Sequence, residues 1–394
     1  MQVYADHAAT TPLKPEVLEA MMPYLTEQYG NASSMYGLAR SAKKALEAAR
    51  EDVANLLGVD KRGIYFTGSG TESNNTAIKG VLTALSRKGK HVITTAVEHH
   101  AIIHTLEHLR KSGHCELTVL PVDEFGAVSP DGLRAALRDD TVLVTIMTAN
   151  NEIGTIQPID ELGAIARERG VWFHTDAVQA IGHVAPDTQN IDMLTLSAHK
   201  FGGPKGVGAL YLRPGIIIPP LVDGGGHEGG LRSGTENIAG IVGLAKALSL
   251  ATDNLAENTK KVSAVSETVK RGLSEIPYSH LTGHPEKRLP GTVSFVFEAV
   301  EGESLVLGLD AKGVAASSGS ACSSGTLDPS HVLLAIGLPH EVAHGSLRLT
   351  FGEENTAEEA EYVVKAVAEV VARAREMSPL WSDGKPTERF WQNM

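Results

Sequence analysis

Asp176 and Lys200 are the residues of this chain whose types and spacing could support covalent cofactor chemistry. They lie 200 − 176 = 24 positions apart, and each follows a run that is typical of a buried strand, at 171–175 and 191–196. A lysine amine becomes a useful nucleophile when desolvation or nearby positive charge lowers its pKa. A carboxylate can keep a pyridine nitrogen protonated, and an amide such as that of Gln179 can hydrogen-bond a ring hydroxyl. The set therefore indicates pyridoxal 5'-phosphate (PLP) chemistry, although a solvated lysine and a helix-capping aspartate explain each residue more plainly when it is taken alone.

Cys322 is the second candidate for chemistry, because it lies among small residues in the sequence SSGSACSSGT at 317–326. A buried structural cysteine normally has bulky apolar neighbours, so this composition predicts a mobile loop that solvent reaches. A thiolate in such a loop could attack a substrate and then transfer what it has taken up. The plainer alternative is a loop cysteine without a role. Cys115, the other cysteine, precedes a predicted strand at 117–120 and is expected to be inert packing.

The elements that must position these residues alternate along the chain. Strands are predicted at 64–66, 91–95, 117–120, 142–147 and 171–175, and helices at 101–111, 130–138 and 158–169. This alternation predicts a mostly parallel sheet with helices on both faces, and such sheets bind ligands at the carboxyl ends of their strands. Residues that fall just after a predicted strand, and that we expect to converge on one pocket, are Gly70, His99, Asn151, Asp176 and Lys200.

Two further features suit an amino-acid enzyme that holds a phosphorylated cofactor. The glycine-rich turn at 67–71 leads from a strand into a helix, and backbone N–H groups at such a helix start can hold a phosphate. Alone this signal is weak, because any strand-to-helix turn can use glycine. Arg348 lies on a predicted strand at 346–351, where its guanidinium could bind a substrate carboxylate or form a structural ion pair.

Two other stretches are expected to lie outside the core. The glycine cluster at 224–237 is expected to be too flexible to be core, and glycines of this kind allow close approach to a ligand or a partner subunit. The polar tail from Ser378, which includes Trp381, lacks periodicity, and we assign it no function.

Charge and composition exclude several classes of function. The 394 residues include 35 basic and 47 acidic ones, a formal net charge of −12, which argues against nucleic acid or an anionic membrane as the main partner. No apolar run approaches the length of a membrane span, and the first residues do not form a signal peptide. Two cysteines provide neither a disulfide framework nor a zinc cluster, so no metal site is expected. We therefore expect a cytoplasmic protein.

With these motifs the chain resembles a cysteine desulfurase of the NifS/IscS type, in the class V aminotransferase group of fold-type-I PLP enzymes. The matching runs cover nearly the whole chain in the expected order: YADHAATTP (4–12), GSGTESNN (68–75), VEHH (97–100), NNEIG (150–154), HTDAVQ (174–179), SAHKFGGPKGVGALY (197–211), RSGTEN (232–237) and SSGSACSSGTLDPSHVL (317–333). The last is the most specific, and it belongs with the branch that has Ser-Gly-Ser-Ala-Cys on a longer loop rather than Gly-His-His-Cys. One departure is Asp6-His7-Ala8, where the family commonly has Asp-Asn-Ala or Asp-Asn-Asn, and this bears only on contacts near the site entrance.

The resemblance implies a role for each matching residue. Lys200 would hold PLP and remove the Cα proton of the substrate, Cys322 would attack the substrate sulfur, and His99 would stack on the ring and shuttle protons. Asn151 and Arg348 would bind the substrate carboxylate. The other implied cofactor contacts are Gly70, Thr71, Asn151, Asp176, Gln179, Ser197 and His199, together with Thr235 from the other subunit of an obligate homodimer.

The fold that the resemblance implies is α/β, that of a fold-type-I PLP-dependent transferase. A large PLP-binding domain at 16–254 would contain a mostly parallel sheet of the seven-stranded type. A smaller α+β domain, formed by 1–15 and 255–394, would carry the cysteine loop at about 315–328.

The implied function is the conversion of L-cysteine to L-alanine, with the sulfur left as a persulfide on Cys322. An acceptor or scaffold protein would then use it for Fe–S cluster assembly or other thiolation, and no residue selects among acceptors. A selenocysteine lyase or another class V aminotransferase stays open as an alternative, although an aminotransferase would not need Cys322. A non-catalytic scaffold relative is a further alternative, against which intact Lys200, Asp176, His99 and Cys322 argue.

Overall fold

The computed structural model describes residues 1–185, 188–319 and 328–387. Its strands are β1 (Val3–Tyr4), β2 (Ile64–Thr67), β3 (His91–Thr95), β4 (Glu116–Leu120), β5 (Thr141–Thr145), β6 (Trp172–Asp176), β7 (Met193–Ser197), β8 (Gly208–Leu212), β9 (Ser279–Leu281), β10 (Thr292–Phe297), β11 (Val314–Ala315), β12 (Ser346–Thr350), β13 (Trp381–Ser382) and β14 (Lys385–Pro386). Its α-helices are α1 (Pro15–Thr26), α2 (Gly37–Leu57), α3 (Gly70–Ala84), α4 (His100–Lys111), α5 (Pro130–Ala136), α6 (Ile159–Glu168), α7 (Ile238–Asp253), α8 (Leu255–Ser274), α9 (Gly302–Asp310), α10 (His331–Ala335), α11 (His340–Ala343) and α12 (Ala357–Met377). Short 3-10 helices cover Lys61–Gly63, Ala198–Lys200 and His227–Gly230.

The central sheet, within the described residues, has seven strands in the order β2-β8-β7-β6-β5-β3-β4. Strands β3 to β7 pair in parallel, whereas β8 is antiparallel to both β7 and β2. β3, β5, β7 and β8 are buried along their whole length, as expected for a sheet that is covered on both faces. The predicted α/β fold with a mostly parallel sheet is confirmed, and the carboxyl ends of β3, β5, β6 and β7 meet at one edge.

The helices form where apolar residues recur at helical spacing. In α2 the buried residues Ala42, Leu46, Ala49 and Val53 lie on one stripe. Gly58 ends the helix with φ 65°, a left-handed conformation that glycine adopts without the cost that a side chain adds. The apolar helix α7 packs against α1 and α2 and shares a buried core with the central strands.

A second antiparallel sheet, with the strand order β12-β10-β9 in the described chain, supports the C-terminal part of the molecule. Residues of α8, α9 and α12 pack on it around Phe295, Phe297 and Leu349. Strand β1 pairs in parallel with β11, and Asp6 bridges to Thr350, the last residue of β12. The N-terminal segment is therefore attached to this second sheet while it runs toward the central one. The predicted domain boundaries, 16–254 against 1–15 with 255–394, stay a prediction.

Two stretches are more structured than the sequence indicates. The glycine cluster at 224–237 contains buried Glu228, whose carboxylate accepts two bonds of 2.8 Å from the Arg50 guanidinium, so the expectation that it is too flexible for the core is wrong there. The tail after Ser378 forms the hairpin β13–β14, and the Arg375 guanidinium carbon lies 4.2 Å from the ring centroid of Trp381. Two-residue strands have no periodicity for a sequence pattern to reveal.

No single helix among the described residues is long and apolar enough to span a bilayer. The bent pair α7 and α8, with 74° between them, meets the length and composition criteria only when its two helices are taken together.

Candidate active site

A cavity of about 350 Å³ lies at the carboxyl edge of the central sheet. Its volume is in the range of small-molecule sites. The predicted site residues that line it are Gly70, Thr71, His99, Asn151, Asp176, Gln179, Ser197, His199, Lys200 and Arg348. Lining residues that the sequence analysis did not single out are Ala8, Ala9, Ser69, Asn74, Met147, Ala149 and Val178.

Lys200 ends the short 3-10 helix that follows β7. Its Nζ donates to the backbone oxygens of Ala8 at 2.6 Å and Ala9 at 2.8 Å. The adjoining Thr11 donates from both its backbone nitrogen and its hydroxyl to the His199 carbonyl, each at 2.9 Å. The N-terminal segment therefore forms a wall of the cavity and holds the lysine amine in place.

Asp176, at the end of β6, is buried and held by two donors. Its Oδ2 accepts from Asn74 Nδ2 at 2.6 Å, and its Oδ1 accepts from the backbone nitrogen of Val178 at 3.0 Å. Asn74 Oδ1 is buried and has no partner among the described residues. The carboxylate is thus oriented by α3, the helix on which Asn74 lies, and by the turn after its own strand.

The start of α3 forms another wall of the cavity. Ser69 caps the helix, because its hydroxyl accepts from the backbone nitrogen of Glu72 at 3.1 Å. The first-turn N–H groups of Gly70 and Thr71 have no acceptor within the helix, and the helix dipole makes this end attractive to an anion. A Cβ at Gly70 would lie 2.7 Å from Val178 Cγ2, so only glycine fits without a shift of the neighbouring turn.

His99 is the N-cap of α4 and is held as a neutral ring. Its Nδ1 accepts from the backbone nitrogen of Ala101 at 3.1 Å, which leaves the ring proton on Nε2. Burial lowers the pKa of His99, the nearby charges of Lys200 and His104 lower it further, and Asp176 opposes them. Burial likewise lowers the pKa of His199 to about 4, with help from Lys200 and Lys205.

Arg348, on β12, connects the second sheet to the cavity. It is 4% exposed, its Nη1 donates to the Asn151 carbonyl at 2.9 Å, and its Nη2 donates to Asp6 Oδ1 at 3.0 Å. Its Nε is buried and has no partner in the described part of the chain. Of the two adjacent asparagines, Asn150 uses its side chain on the Val97 carbonyl and on the nitrogens of its own turn, whereas Asn151 lines the cavity.

Comparison with known proteins agrees with this geometry. Residues 3–363 match the family model described as aminotransferase class-V. This chain belongs to the class V aminotransferase family. Among its relatives, a protein named cysteine desulfurase IscS from Methanosarcina thermophila is 54% identical over 380 residues, which are 96% of this chain and 94% of that one. Another protein of that name, from Dictyoglomus turgidum, is 49% identical over 393 residues, 98% of each chain.

Solved structures give the same result for the fold of this chain. A structure titled NifS-like protein superposes with a TM-score of 0.89 at 38% identity, covering 95% of this chain and all of that one. A structure titled SspA in complex with cysteine has a TM-score of 0.80 at 34% identity, covering 90% of this chain and all of that one. The predicted membership of the NifS/IscS-type cysteine desulfurase family and its fold-type-I architecture are confirmed.

Two buried carboxyl groups adjoin cavity residues. Glu98 precedes His99, and its Oε1 accepts from Thr95 Oγ1 and from the backbone nitrogen of Met147, each at 2.9 Å. Burial raises the pKa of Glu98 to about 8. Burial also raises the pKa of Glu152, next to Asn151, to about 7, although a bond from the Ser330 hydroxyl and the charge of Arg348 oppose the rise.

Two predicted site residues are absent from the described lining of the cavity, for different reasons. Thr235 is exposed just before α7, outside the cavity lining of its own chain. Cys322 falls at 320–327, outside the described residues. Cys115, expected to be packing, is 3% exposed, and its thiol lies 3.5 Å from the Leu106 carbonyl.

Sequence reasoning missed the contacts of Asn74 and of the Ala8 and Ala9 carbonyls. The sequence carries a signal for Asn74, because this residue belongs to the run GSGTESNN at 68–75 and lies one helical turn after Gly70. The two carbonyls left no signal, because a backbone oxygen is the same in every residue type.

Proposed function

We propose that this chain is a PLP-dependent cysteine desulfurase that converts L-cysteine to L-alanine and takes up the sulfur on Cys322. The observation that carries the proposal is the convergence of Lys200, Asp176 and Arg348 on one cavity. An amine, a buried carboxylate and a guanidinium are the groups that a PLP enzyme needs for its aldehyde, its ring nitrogen and the substrate carboxylate. The names of the relatives supply the substrate.

The residues around the cavity fit PLP. The first-turn N–H groups of Gly70 and Thr71 suit a phosphate, Asp176 suits a protonated ring nitrogen, and Lys200 suits an aldehyde carbon. A side chain at Gly70 would clash with Val178, so the helix start carries none there. Bound there, PLP would supply an electron sink for the carbon atoms of the substrate.

The residues of the chain would divide the chemistry between them. Arg348, whose Nε has no partner among the described residues, and Asn151 would bind the carboxylate of L-cysteine. The Lys200 amine would take the Cα proton, and His99, neutral with its proton on Nε2, would donate a hydrogen bond from Nε2 near the substrate. Since thiols are poor nucleophiles, Cys322 would react as its thiolate.

The proposed reaction balances without an external oxidant. The Cys322 sulfur bonds to the sulfur of L-cysteine while the substrate C–S bond breaks, and the electron pair of that bond stays with the substrate carbon, which is then protonated. The products are L-alanine and a persulfide on Cys322. An acceptor protein would accept this sulfur for Fe–S cluster assembly or another thiolation.

The proposal includes a homodimer in which Thr235 serves the other subunit's site. Thr235 is exposed and lies outside the cavity of its own chain, which suits such a role. Apolar side chains that are about half exposed on α1 or nearly fully exposed before α2 offer an interface, and they include Leu18, Met22, Leu25 and Met35. A cytoplasmic location is proposed with it.

Visible spectra of the purified protein before and after addition of L-cysteine, with mass spectrometry of Cys322, test the function. We expect an absorbing cofactor that is lost in Lys200→Ala, and a mass increase of one sulfur on Cys322 with release of L-alanine. Cys322→Ser should retain the cofactor absorbance and lose sulfur uptake, while Cys115→Ser serves as the matched control and should behave as wild type. A colourless protein, or sulfur uptake at the normal rate in Cys322→Ser, contradicts the proposal. Parallel assays with L-selenocysteine separate the desulfurase from a selenocysteine lyase.

A further inference from the structure

Glu152 occupies a position that the proposed chemistry does not use. It follows Asn151, whose carbonyl accepts from Arg348 Nη1, and it is 7% exposed. Its Oε2 accepts a short hydrogen bond from the Ser330 hydroxyl. The direction of this bond is settled, because the Ser330 oxygen already accepts from the backbone nitrogens of Val332 at 3.1 Å and Leu333 at 3.3 Å. Glu152 is therefore the acceptor whether or not its other oxygen holds a proton.

The same carboxylate also lies close to the backbone of a second stretch of chain, at Gly319. A Cβ built on Gly319 would lie 3.4 Å from Glu152 Oε2, 3.2 Å from Leu333 Cδ1 and 3.1 Å from Ser346 Oγ. The backbone nitrogen of Gly319 donates to that Ser346 hydroxyl at 3.1 Å. Gly319 is thus enclosed by three elements, and its lack of a side chain lets the backbone come close to the carboxylate.

The stretch before Gly319 is held to the substrate side of the cavity. Ser317 and Arg348 exchange backbone hydrogen bonds, with 3.2 Å from Ser317 nitrogen to Arg348 oxygen and 2.7 Å from Arg348 nitrogen to Ser317 oxygen. Arg348 in turn binds the carbonyl of Asn151, the neighbour of Glu152. One carboxylate therefore bonds Ser330 and lies close to Gly319, which is 330 − 319 = 11 positions away, beside the proposed site for the substrate carboxylate.

We propose that Glu152 is a positioning residue that holds Gly319 and Ser330, the residues on either side of the Cys322 segment (320–327), beside the Arg348 guanidinium. The inference rests on the proposed function, since Cys322 must reach a substrate that Arg348 binds. Gly319 and Ser330, which flank this segment in the sequence, would both be fixed beside one side chain. A small displacement of reacting groups costs a large part of the rate, so this attachment would act on sulfur transfer and not on cofactor binding.

Burial of Glu152 is consistent with this role. The pKa of its carboxyl is raised to about 7, first by burial, against the Ser330 bond and the Arg348 charge. A buried carboxyl is costly unless it is hydrogen-bonded, and the Ser330 hydroxyl meets that need. The buried carboxyl of Glu152 is thus the group that bonds Ser330 and lies close to Gly319, on the two sides of the Cys322 segment.

Three variants test the inference in the PLP-loaded protein. Glu152→Ala removes the acceptor, Ser330→Ala removes the donor, and Glu152→Gln keeps an oxygen that can accept from Ser330. Ser129→Ala is the matched control, because Ser129 caps α5 by accepting from Gly132 nitrogen at 3.2 Å and lies outside the cavity lining. The rate constant of persulfide formation on Cys322 is measured in a single turnover, beside the L-cysteine concentration that changes the cofactor absorbance.

We expect Glu152→Ala to form the persulfide about tenfold or more slowly, while the L-cysteine dependence of the cofactor absorbance stays that of wild type. Glu152→Gln should recover the wild-type rate. Hydrogen exchange gives a readout independent of activity: in Glu152→Ala the amides of Ser317 and Gly319 should exchange faster together with those of Val332 and Leu333. In Ser129→Ala none of them should change.

Persulfide formation in Glu152→Ala at the wild-type rate overturns the inference, as does faster exchange on one side of the Cys322 segment only. If Glu152→Ala does not fold, Ser330→Ala decides, and a rate equal to that of Ser129→Ala overturns it. Absence of a persulfide in the wild-type protein would instead contradict the proposed function. Failure of the Glu152 inference and failure of the proposed function are therefore distinguishable.

Discussion

The Asp6 carboxylate lies 3.0 Å from the Arg348 guanidinium, across 348 − 6 = 342 positions of sequence. Because Arg348 is buried, Asp6→Asn should destabilise the ligand-free protein by about 2 kcal/mol through loss of the opposing charge. A carboxylate ligand would then supply that charge. We therefore expect L-alanine to raise the thermal unfolding midpoint of Asp6→Asn more than that of the wild-type protein.

A second aspartate–arginine pair provides the control for this prediction. Asp192 lies 3.1 Å from the Arg213 Nε, outside the cavity lining, so Asp192→Asn should lose stability without any change in the shift that L-alanine produces. Equal L-alanine shifts in Asp6→Asn and wild type would show that Asp6 does not share the guanidinium with the ligand.

The contrast between Asp6 and the strands shows what the sequence could predict. Local runs of apolar residues indicate the buried strands. The predicted bounds of β3 and of the helix after it therefore differ from the observed bounds by no more than a residue or two. The partner of Arg348 has no local signature, because nothing near either residue encodes a contact between the segment after β1 and strand β12. The pairing is set by the two-stranded sheet of β1 and β11 and by the bridge from Asp6 to Thr350, which bring the N-terminal segment beside β12.

Asn74 should control how firmly the cofactor is held, because its amide donates to Asp176 Oδ2 at 2.6 Å. In Asn74→Asp two carboxyl groups would share this contact and could not both ionise, so the charge on Asp176 would no longer be assured. We expect PLP to be retained about tenfold more weakly, since loss of a hydrogen bond to a charged group costs about 1.5 to 3 kcal/mol. Absorbance of the bound cofactor after dialysis measures the effect.

Asn75→Asp makes the same charge change one position along α3. Asn75 bonds the Thr71 carbonyl and the Thr105 hydroxyl and has no bond to Asp176, so this variant should retain PLP as the wild-type protein does. If both variants lost the cofactor equally, the effect would come from the charge at the helix start and not from Asp176.

The two asparagines at 150 and 151 mark the limit of prediction for the site. Both follow the same strand, and residue type and spacing do not separate them. The separation comes from the turn, in which Asn150 Oδ1 accepts from the backbone nitrogens of Glu152 and Ile153 and so is used up within the turn. The hydrogen bonds in the folded structure, and not the sequence, show that Asn151 is the asparagine whose side chain is available to the cavity.

Glu98 predicts a pH dependence of stability. Burial raises its pKa from the ordinary 4.5 to about 8, so the folded protein binds a proton that the unfolded chain has released between these values. The stability that this group contributes is full below about pH 4.5 and is lost as the pH rises toward 8, at up to about 1.4 kcal/mol per pH unit. Glu98→Gln cannot titrate and should show a flatter profile in denaturant unfolding over that window.

Glu152 titrates in part of the same range but is present in both proteins, so the difference between them isolates Glu98. Glu361→Gln, which changes an exposed carboxylate of α12, is the matched control and should reproduce the wild-type profile. Parallel profiles for Glu98→Gln and wild type would mean that Glu98 is not protonated in the folded protein.

Thr235 allows the dimer to be tested by mixing chains. A mixed dimer of one Lys200→Ala chain and one Thr235→Val chain has one site in which Lys200 is intact. If Thr235 serves the other subunit's site, that site receives its threonine from the Lys200→Ala chain and is complete. The purified mixed dimer should then show about half of the wild-type activity, because one of its two sites is intact, whereas each parent dimer is impaired.

Mixing Lys200→Ala with Asp176→Asn chains should recover nothing, since both residues line the cavity of their own chain and each site then carries a defect. Activity of the Thr235→Val mixture no higher than the mean of its parents would assign Thr235 to its own subunit, against its exposed position outside the cavity that Lys200 lines.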